Sequence, residues 1–597
     1  MLTGLQYLDL VRDRGRRGLE LERVYRNIQR ADLFLMAYGK LYANPGATTP
    51  GIEPCDTVDG MSTRRIDAIL RALEHGIYRW QPTRRIYIDK ANGKKRPLSI
   101  PGWKDKMVQE VLRQVLEAFY EPQFSNHSHG FRPGRGCQTA LGEIVKTWKG
   151  TRWFIEGDIK GCFDNVDQTV LLNILCEKIK DNRLMKLIRH MLEAGYVEDW
   201  KYNHTWSGTP QGGVISPLLT NIYLDKLDQF VEETLMPKYN RGQERQENPE
   251  YRKHLNAKWK AKQNGDRGKW VYHGKMSKTV PSGDPFDPNY RRLRYVRYAD
   301  DFLLGYEGTR QEAEEIKQEL QKFLSETLKL ELSNEKTLIT HARKGKASFL
   351  GYDINIAWNN SRRTHHRRSI NGLPMLYVPA EVRHKWMSRY MEKGKPARRP
   401  NLILMSDYDI IMQYEAEVRG VANYYQMAVN VSRLYAVKSM AMASMAHTFA
   451  AKYKRSVSWA YRKYQSIQNG LKGMMTVRER EGKPPLVAKF GFTPMRYKRL
   501  ATETDDKKPW NLEGITVHGA RTQLVDRLLA QECELCGSTA QVEVHHVRKL
   551  KDLVSQYRRK EKPAWVVRMA QIRRKTLVVC KRCHHDIHQG TYDGKPV

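Results

Sequence analysis

Two carboxylates stand side by side in Tyr298-Ala299-Asp300-Asp301, between short runs rich in Tyr, Val, Phe and Leu. Such runs read as strands, and the Ala-Asp-Asp between them as the tight turn of a hairpin. Adjacent aspartates at a strand junction repel each other, so the site needs a compensating cation. Hard oxygen ligands of this kind suit Mg²⁺. Asp158 closes the apolar run Trp153-Phe154-Ile155-Glu156-Gly157, and a strand end fixes a carboxylate closely enough for a two-metal site. A second centre lies further on, in Cys533-x-x-Cys536 and Cys580-x-x-Cys583. Two such knuckles make a tetrahedral four-cysteine zinc site rather than disulfides. Cys55, Cys137, Cys162 and Cys176 are scattered. A Tyr-x-Asp-Asp tetrapeptide by itself reads more readily as a solvated turn, so the surrounding chain has to decide.

That chain has 597 residues and a formal net charge of +37, from 103 Lys+Arg against 66 Asp+Glu. The length allows roughly three to five domains, and the charge points to a large polyanion, most simply nucleic acid. It has no apolar run of about 18 residues. Asp9, Asp13, Glu20 and Glu22 spoil a signal-peptide layout. A cytosolic or nucleoid-associated protein is expected.

Apolar spacing predicts a helix within residues 18–42 and another through Met107, Val111, Val115 and Phe119, stopped by Pro122. Residues 84–101 read as a basic hairpin turning at Asn92-Gly93, either solvated or a lid over a triphosphate. The glycines and arginines of His129–Gly136 suit a backbone that approaches phosphates, or an ordinary surface loop. Residues 237–292 are charged with little periodicity, reading as a solvated or an RNA-contacting insertion. Beyond Asp409 the pattern is helical again.

Seven blocks in one order resemble the reverse transcriptases encoded by group II introns. They are Arg96–Pro101, His129-Gly130-Phe131-Arg132-Pro133, Gly157–Asn165, Gly208–Gly213, Tyr298-Ala299-Asp300-Asp301, Glu335-Lys336-Thr337 and Phe349-Leu350-Gly351-Tyr352. Arg419-Gly420-Val421-Ala422-Asn423-Tyr424-Tyr425 looks like the family's maturase signature, and residues 525–597 resemble an HNH nuclease module. The resemblance implies an α+β multidomain protein. Right-hand polymerase fingers and palm would span 1–360 with the insertion at 237–292. An α-helical thumb or maturase domain would span 361–470, a small basic DNA-binding region 471–524, and a ββα-metal HNH zinc domain 525–597.

The resemblance also assigns roles. Asp158, Asp300 and Asp301 would hold two Mg²⁺ ions for nucleotidyl transfer. Phe163 would sit under the deoxyribose and exclude a 2′-hydroxyl, and Gln211 would line the incoming dNTP. Arg96 belongs to the basic hairpin beside it. Lys336 would face primer or template, or be a surface lysine. In the nuclease module His546 would be the general base, and His545 and His588 would hold a divalent ion, Mg²⁺. His584 could join either metal or orient a partner. The family's middle Asn is missing from the stretch holding Lys575 and Thr576.

The activities implied are target-primed synthesis of intron cDNA, assistance to splicing of the intron RNA, and cleavage of a DNA strand that supplies the primer for homing. Intron RNA, target DNA and dNTPs are the expected partners, in a bacterial cytoplasmic ribonucleoprotein whose dimerisation is left open. The competing reading is a splicing maturase that only binds RNA, with polymerase and nuclease motifs kept as scaffold. Intact Asp158, Asp300 and Asp301 weigh against it.

Overall fold

The computed structural model describes the chain except residues 1, 45, 90–92, 94, 199–200, 204, 206–207, 209–211, 286, 334, 336, 360, 365–366, 369, 481, 499–518, 549–562, 564, 568, 570–573 and 593–597. For residues 363–364, 367–368, 483 and 519–522 it describes the backbone alone.

Four helices, Gly4–Arg16, Ala31–Leu41, Thr63–Glu74 and Trp103–Tyr120, pack together in the amino-terminal region. The Met107-to-Phe119 stripe is buried as its spacing predicts. The continuous helix expected within 18–42 is instead a strand at Leu21–Glu22, one turn at Val24–Asn27 and the helix Ala31–Leu41. Arg23 takes a left-handed backbone there. The Tyr25 N–H donates 2.8 Å to the Asp181 carboxylate, so a tertiary partner replaces a helical one.

A four-stranded antiparallel sheet forms the centre, in the order Ile339–His341, Trp153–Asp158, Asp301–Glu307, Arg292–Tyr298. Successive side chains face opposite sides. Ile155, Tyr295 and Leu304 enter a core with Ile222, Tyr223, Ile316 and Leu320. Phe154, Val296 and Leu303 enter another with Leu141, Trp148, Phe349 and Tyr414. The sheet is thus a wall between two cores, which is why its strands read as unbroken apolar runs. Beside it lies a second sheet, in the order Lys95–Ile100, Thr83–Asp89, Tyr196–Glu198, Lys201–Asn203. The two strands of the basic hairpin pair as expected, with Arg96 opposite Ile88, while Asn92 of its turn lies outside the described residues.

The charged insertion is more ordered than its pattern predicts. Helices Pro249–Gln263 and Arg267–Ser277 pack on each other. They bury only Ala261 and Ser277 among the described residues, so no apolar stripe marks them. Their start signals are the caps, Asn248 and Asp266, whose side chains accept from Glu250 and Lys269 N–H groups.

Beyond residue 378 come helices Ala380–Ser388, Asp407–Tyr424, Tyr435–Tyr453 and Val457–Tyr464. A three-stranded antiparallel sheet follows, Gln465–Gln468, Leu471–Arg480 and Lys483–Phe490. Met474, Ala488 and Phe490 share the core of Tyr414 and Val418, and the Gly491 N–H donates 3.1 Å to Glu415. The stretch expected to open a separate DNA-binding region at 471 therefore continues the helical unit up to Gly491. Residues 499–518 of that expectation lie outside the described residues.

The last module is an antiparallel pair, Val542–His546 and Thr576–Cys580, leading into helix Lys581–Gln589. Leu577 and Val579 pack inside it with Trp565 and Ile587, whereas Val542, Val544 and Val578 join the amino-terminal core. Met61 pairs with Val544 in an antiparallel bridge, through N–H···O contacts of 2.9 Å at Val544 and 3.0 Å at Gly60. Among the described residues no helix is long and apolar enough to cross a membrane.

Candidate functional site

Ladder register brings the carboxylates together. Asp158 is the direct partner of Asp301 across the antiparallel ladder. Tyr298 pairs with Asp301 on the other side, leaving Ala299 and Asp300 as the turn. Ala299 adopts φ +56°, an uncommon backbone for a residue with a Cβ, so something must hold it. Arg297 does. Its fully buried guanidinium donates to Asp228 at 2.7 and 2.5 Å, to the Asn221 side chain at 3.2 Å and to the Ala299 carbonyl at 3.0 Å. Burial opposes the charge, but Asp228 outweighs it and keeps Arg297 protonated.

The loop holding His129 and Gly130 braces the same turn. Arg297 N–H donates to the His127 carbonyl at 2.8 Å, and His129 N–H to the Arg297 carbonyl at 2.9 Å. A Cβ on Gly130 would stand 2.3 Å from the Ala299 nitrogen. Gly157, one residue before Asp158, lies under the Phe302 ring, where a Cβ would meet carbon at 2.2 Å. These glycines serve close packing at the carboxylate turn. Arg132 is likewise committed inward, to Glu121 at 3.0 Å and the Ser128 carbonyl at 2.7 Å. The expectation that its charge is at hand for phosphates does not hold. Negative charge does gather here: burial first, then Asp300, with Asp158 and Asp164 adding, pushes the Cys162 thiol up to about 12.

Phe163 sits one residue further, on the short helix Cys162–Asn165, with its ring edge-on to Phe131 at 6.4 Å. Gly212, at φ +103°, lies against the Ser99 carbonyl, so the loop around it adjoins the basic hairpin carrying Arg96. Gln211 and Lys336 lie outside the described residues. The Phe349-to-Tyr352 block stitches the sheet to helix Asp407–Tyr424. Tyr424 OH donates to the Leu350 carbonyl at 2.8 Å, Tyr425 OH to the Gly351 carbonyl at 3.0 Å, and Tyr352 OH to the Tyr424 carbonyl.

In the last module the four cysteine sulfurs lie within 4.8 Å of one another, Cys536 and Cys580 at 3.7 Å. A tetrahedron with metal–sulfur bonds of 2.3 Å has edges of about 3.8 Å, so the set fits a zinc-sized ion. A second group within 4.8 Å consists of His545, His584, His588 and Asp59. His584, whose role the sequence left open, stands with His545 and His588. Its Nδ1 meets Glu543 at 2.5 Å, which aims Nε2 into the cluster.

Both His545 ring nitrogens are buried without a hydrogen-bond partner among the described residues. Burial lowers the His545 imidazole to about 4 and that of His546 to about 3, keeping both neutral. Burial would also lower His584, but its hydrogen bonds to Asp59 and Glu543 outweigh that and push it up to about 9. His546 is not in the cluster; it meets Tyr38 OH at 2.9 Å. Asp59 escapes sequence reasoning, because it sits in an unremarkable loop far from every motif it joins.

Known protein families match the chain in the same order. Reverse transcriptase (RNA-dependent DNA polymerase) covers residues 88–354, type II intron maturase 378–498, and an HNH endonuclease of the AI2M/AI1M-like kind 533–584. The group II intron-encoded protein LtrA of Lactococcus lactis subsp. cremoris is 39% identical over 596 residues, covering 95% of this chain and 96% of the relative. The chain belongs to the group II intron-encoded proteins.

An uncharacterized 91 kDa protein in a cob intron of Schizosaccharomyces pombe is 34% identical, over 93% of this chain and 68% of that one. A putative COX1/OXI3 intron 2 protein of Saccharomyces cerevisiae is 30% identical, over 94% and 65%. This group II intron-encoded protein carries an RNA-directed DNA polymerase, a maturase and a DNA endonuclease in one chain. Its partners are intron RNA and DNA, and enzymes of both catalytic kinds use divalent metals.

Proposed function

We propose that Asp158, Asp300 and Asp301 are the metal-binding carboxylates of the polymerase, in a palm formed by the central sheet. The observation that carries this reading is the ladder pairing of Asp158 with Asp301, beside a turn that Arg297 clamps. Two Mg²⁺ ions bound there would lower the pKa of the primer 3′-hydroxyl and steady the leaving pyrophosphate. The donor set fits, being hard carboxylate oxygen on two strand ends and the turn between strands. Phe163, following the Asp158 strand, meets the sugar of the incoming dNTP and leaves no room for a 2′-hydroxyl. The basic hairpin with Arg96, the Gln211 loop and Lys336 complete the nucleotide and primer surfaces. The helical unit after residue 378 is the thumb, joined to the palm through Tyr352, Tyr424 and Tyr425.

In the nuclease, Cys533, Cys536, Cys580 and Cys583 hold a structural zinc. His545, His584 and His588 hold the divalent ion that would polarise a scissile phosphate, and the orphaned nitrogens of His545 support this. His546 takes the proton from the attacking water. The cut strand supplies the primer for copying intron RNA, within a ribonucleoprotein in a bacterial cytoplasm.

The test is primer extension on an RNA template in Mg²⁺ beside a splicing assay. Asp300→Ala abolishes cDNA synthesis and leaves splicing assistance largely intact, since RNA binding rests on basic surface. Extension by this variant at the wild-type rate would overturn the carboxylate assignment.

A further inference from the structure

The nuclease cluster contains a ligand from the opposite end of the chain. Asp59 Oδ1 lies 3.3 Å from His584 Nε2 and 3.6 Å from His545 Nδ1. Its Oδ2 lies 2.8 Å from His588 Nε2, and the two helix histidines are 3.1 Å apart. A tetrahedron with bonds near 2.05 Å to nitrogen or oxygen has edges of about 3.3 Å. The distances of 2.8–3.6 Å bracket that edge, and the donors all lie within 4.8 Å of one another, so the four residues suit a single ion.

A catalytic metal keeps one position open for water or substrate, whereas a structural one is closed. Three histidines would leave that position open; Asp59 fills it with an anionic oxygen, the same donor chemistry as a phosphate. The rest of the contact points the same way. The His546 N–H donates 2.7 Å to Asp59, and its imidazole is packed under Tyr38 of the helix Ala31–Leu41. Val544 bridges Met61, two residues after Asp59. The general base and the open position are thus both covered from the amino-terminal region, the first by Tyr38 and the second by Asp59. Of the four donors His588 is the most exposed, with 53% of its side chain open, and gives a solvent edge through which a cation could enter.

We infer that Asp59 is a displaceable fourth ligand that occupies the phosphate position of the nuclease cation and holds the endonuclease closed against the amino-terminal region. Cutting requires the nuclease module to part from Tyr38 and from the Asp59–Met61 segment, which frees His546 and the coordination position together. The inference rests on the reading of His545, His584 and His588 as the cation site.

The experiment uses the full-length chain with zinc at the cysteines and cobalt(II) titrated into the remaining site. Its readouts are visible absorption, deuterium exchange of residues 57–62, and nicking of supercoiled plasmid in Mg²⁺. Asp59→Asn keeps the shape and removes the anionic donor. The expected result is a weaker cobalt spectrum, as one protein ligand gives way to water, with faster exchange at 57–62. Nicking should rise by roughly tenfold or more, the factor that about 1.4 kcal/mol of lost closing free energy gives.

Tyr38→Phe removes the hydroxyl that engages the His546 imidazole without touching the ligands, and should raise nicking with the cobalt spectrum unchanged. If Asp59→Asn loses cobalt and nicking together, Asp59 is an integral ligand and the inference falls. If it changes neither spectrum nor exchange, the inference falls while the histidine site stands. His588→Ala separates the two readings: cobalt binding untouched by that change would overturn the cation site itself.

Discussion

Arg297→Met should destabilise the polymerase turn strongly. Both partners of the Arg297–Asp228 pair have fully buried side chains. Removing one partner of such a pair leaves an uncompensated charge, at about 3–5 kcal/mol. Among the described residues Asp228 would keep the Tyr295 hydroxyl, which donates to it at 2.8 Å. The Ala299 carbonyl also loses its donor, in a turn already at positive φ. Because a chain of several domains does not unfold in two states, the measurement is deuterium exchange of peptides across 292–307. Exchange there should accelerate by roughly two to three and a half orders of magnitude, at about 1.4 kcal/mol per tenfold.

The double variant Asp228→Leu/Arg297→Met removes both charges, and apolar replacement of a buried pair is near neutral. It should recover most of the protection. It should not recover primer extension, because the turn bearing Asp300 has still lost its clamp, and a displacement of about 1 Å costs on the order of 100-fold in rate. Exchange in Arg297→Met within about tenfold of wild type, or full extension by the double variant, would refute the reasoning.

Other outcomes follow from the same geometry. Phe163→Val should admit ribonucleotides in single-nucleotide extension, and unchanged selectivity between dNTP and rNTP would assign the steric gate elsewhere. Cys536→Ala removes one of four sulfurs from a site whose metal binding is on the order of 10 kcal/mol of folding free energy. It should release zinc and make residues 530–590 protease-sensitive, while primer extension continues. Asp225 lies close to Asp228, and burial first, then the Asp228 charge, pushes its carboxyl up to about 7 against an ordinary value of 3.8. A raised carboxyl favours the fold below its unfolded pKa, and that contribution disappears as pH rises through the folded value. Asp225→Asn should therefore match wild type near pH 4 and exceed it by on the order of 2–4 kcal/mol above pH 7. A stability difference constant across that range would contradict the burial argument.

The sequence made the local geometry legible and left the long-range partners out of view. Asp158 and the Asp300–Asp301 turn could be placed because strand ends and tight turns are written in adjacent residues. The cysteine knuckles announce themselves by spacing in the same way. The glycines and arginines of 129–136 were visible, but their use was not. Whether a guanidinium faces a phosphate or Glu121 depends on a helix that ends before the motif begins. The insertion helices were missed because solvated helices carry no apolar period. Asp59 left no signal, since an isolated aspartate in a loop has no pattern to extend, and its partners come from the last module.

That pairing sets an order of events. His546 is made 487 residues after Asp59. At about 5–20 residues per second of synthesis, the interval is roughly 25–100 s. Throughout it, the carboxylate sheet and the helix bearing Tyr424 are emerging and packing, while Tyr38, Asp59 and Met61 wait without the strand that will cover them. The copying machinery is therefore assembled on a growing chain that has no cutting module yet. When the Val542–His546 strand arrives, its docking surface has already been folded for it. The nuclease is born into its closed state, and each new molecule has to be opened before its first cut.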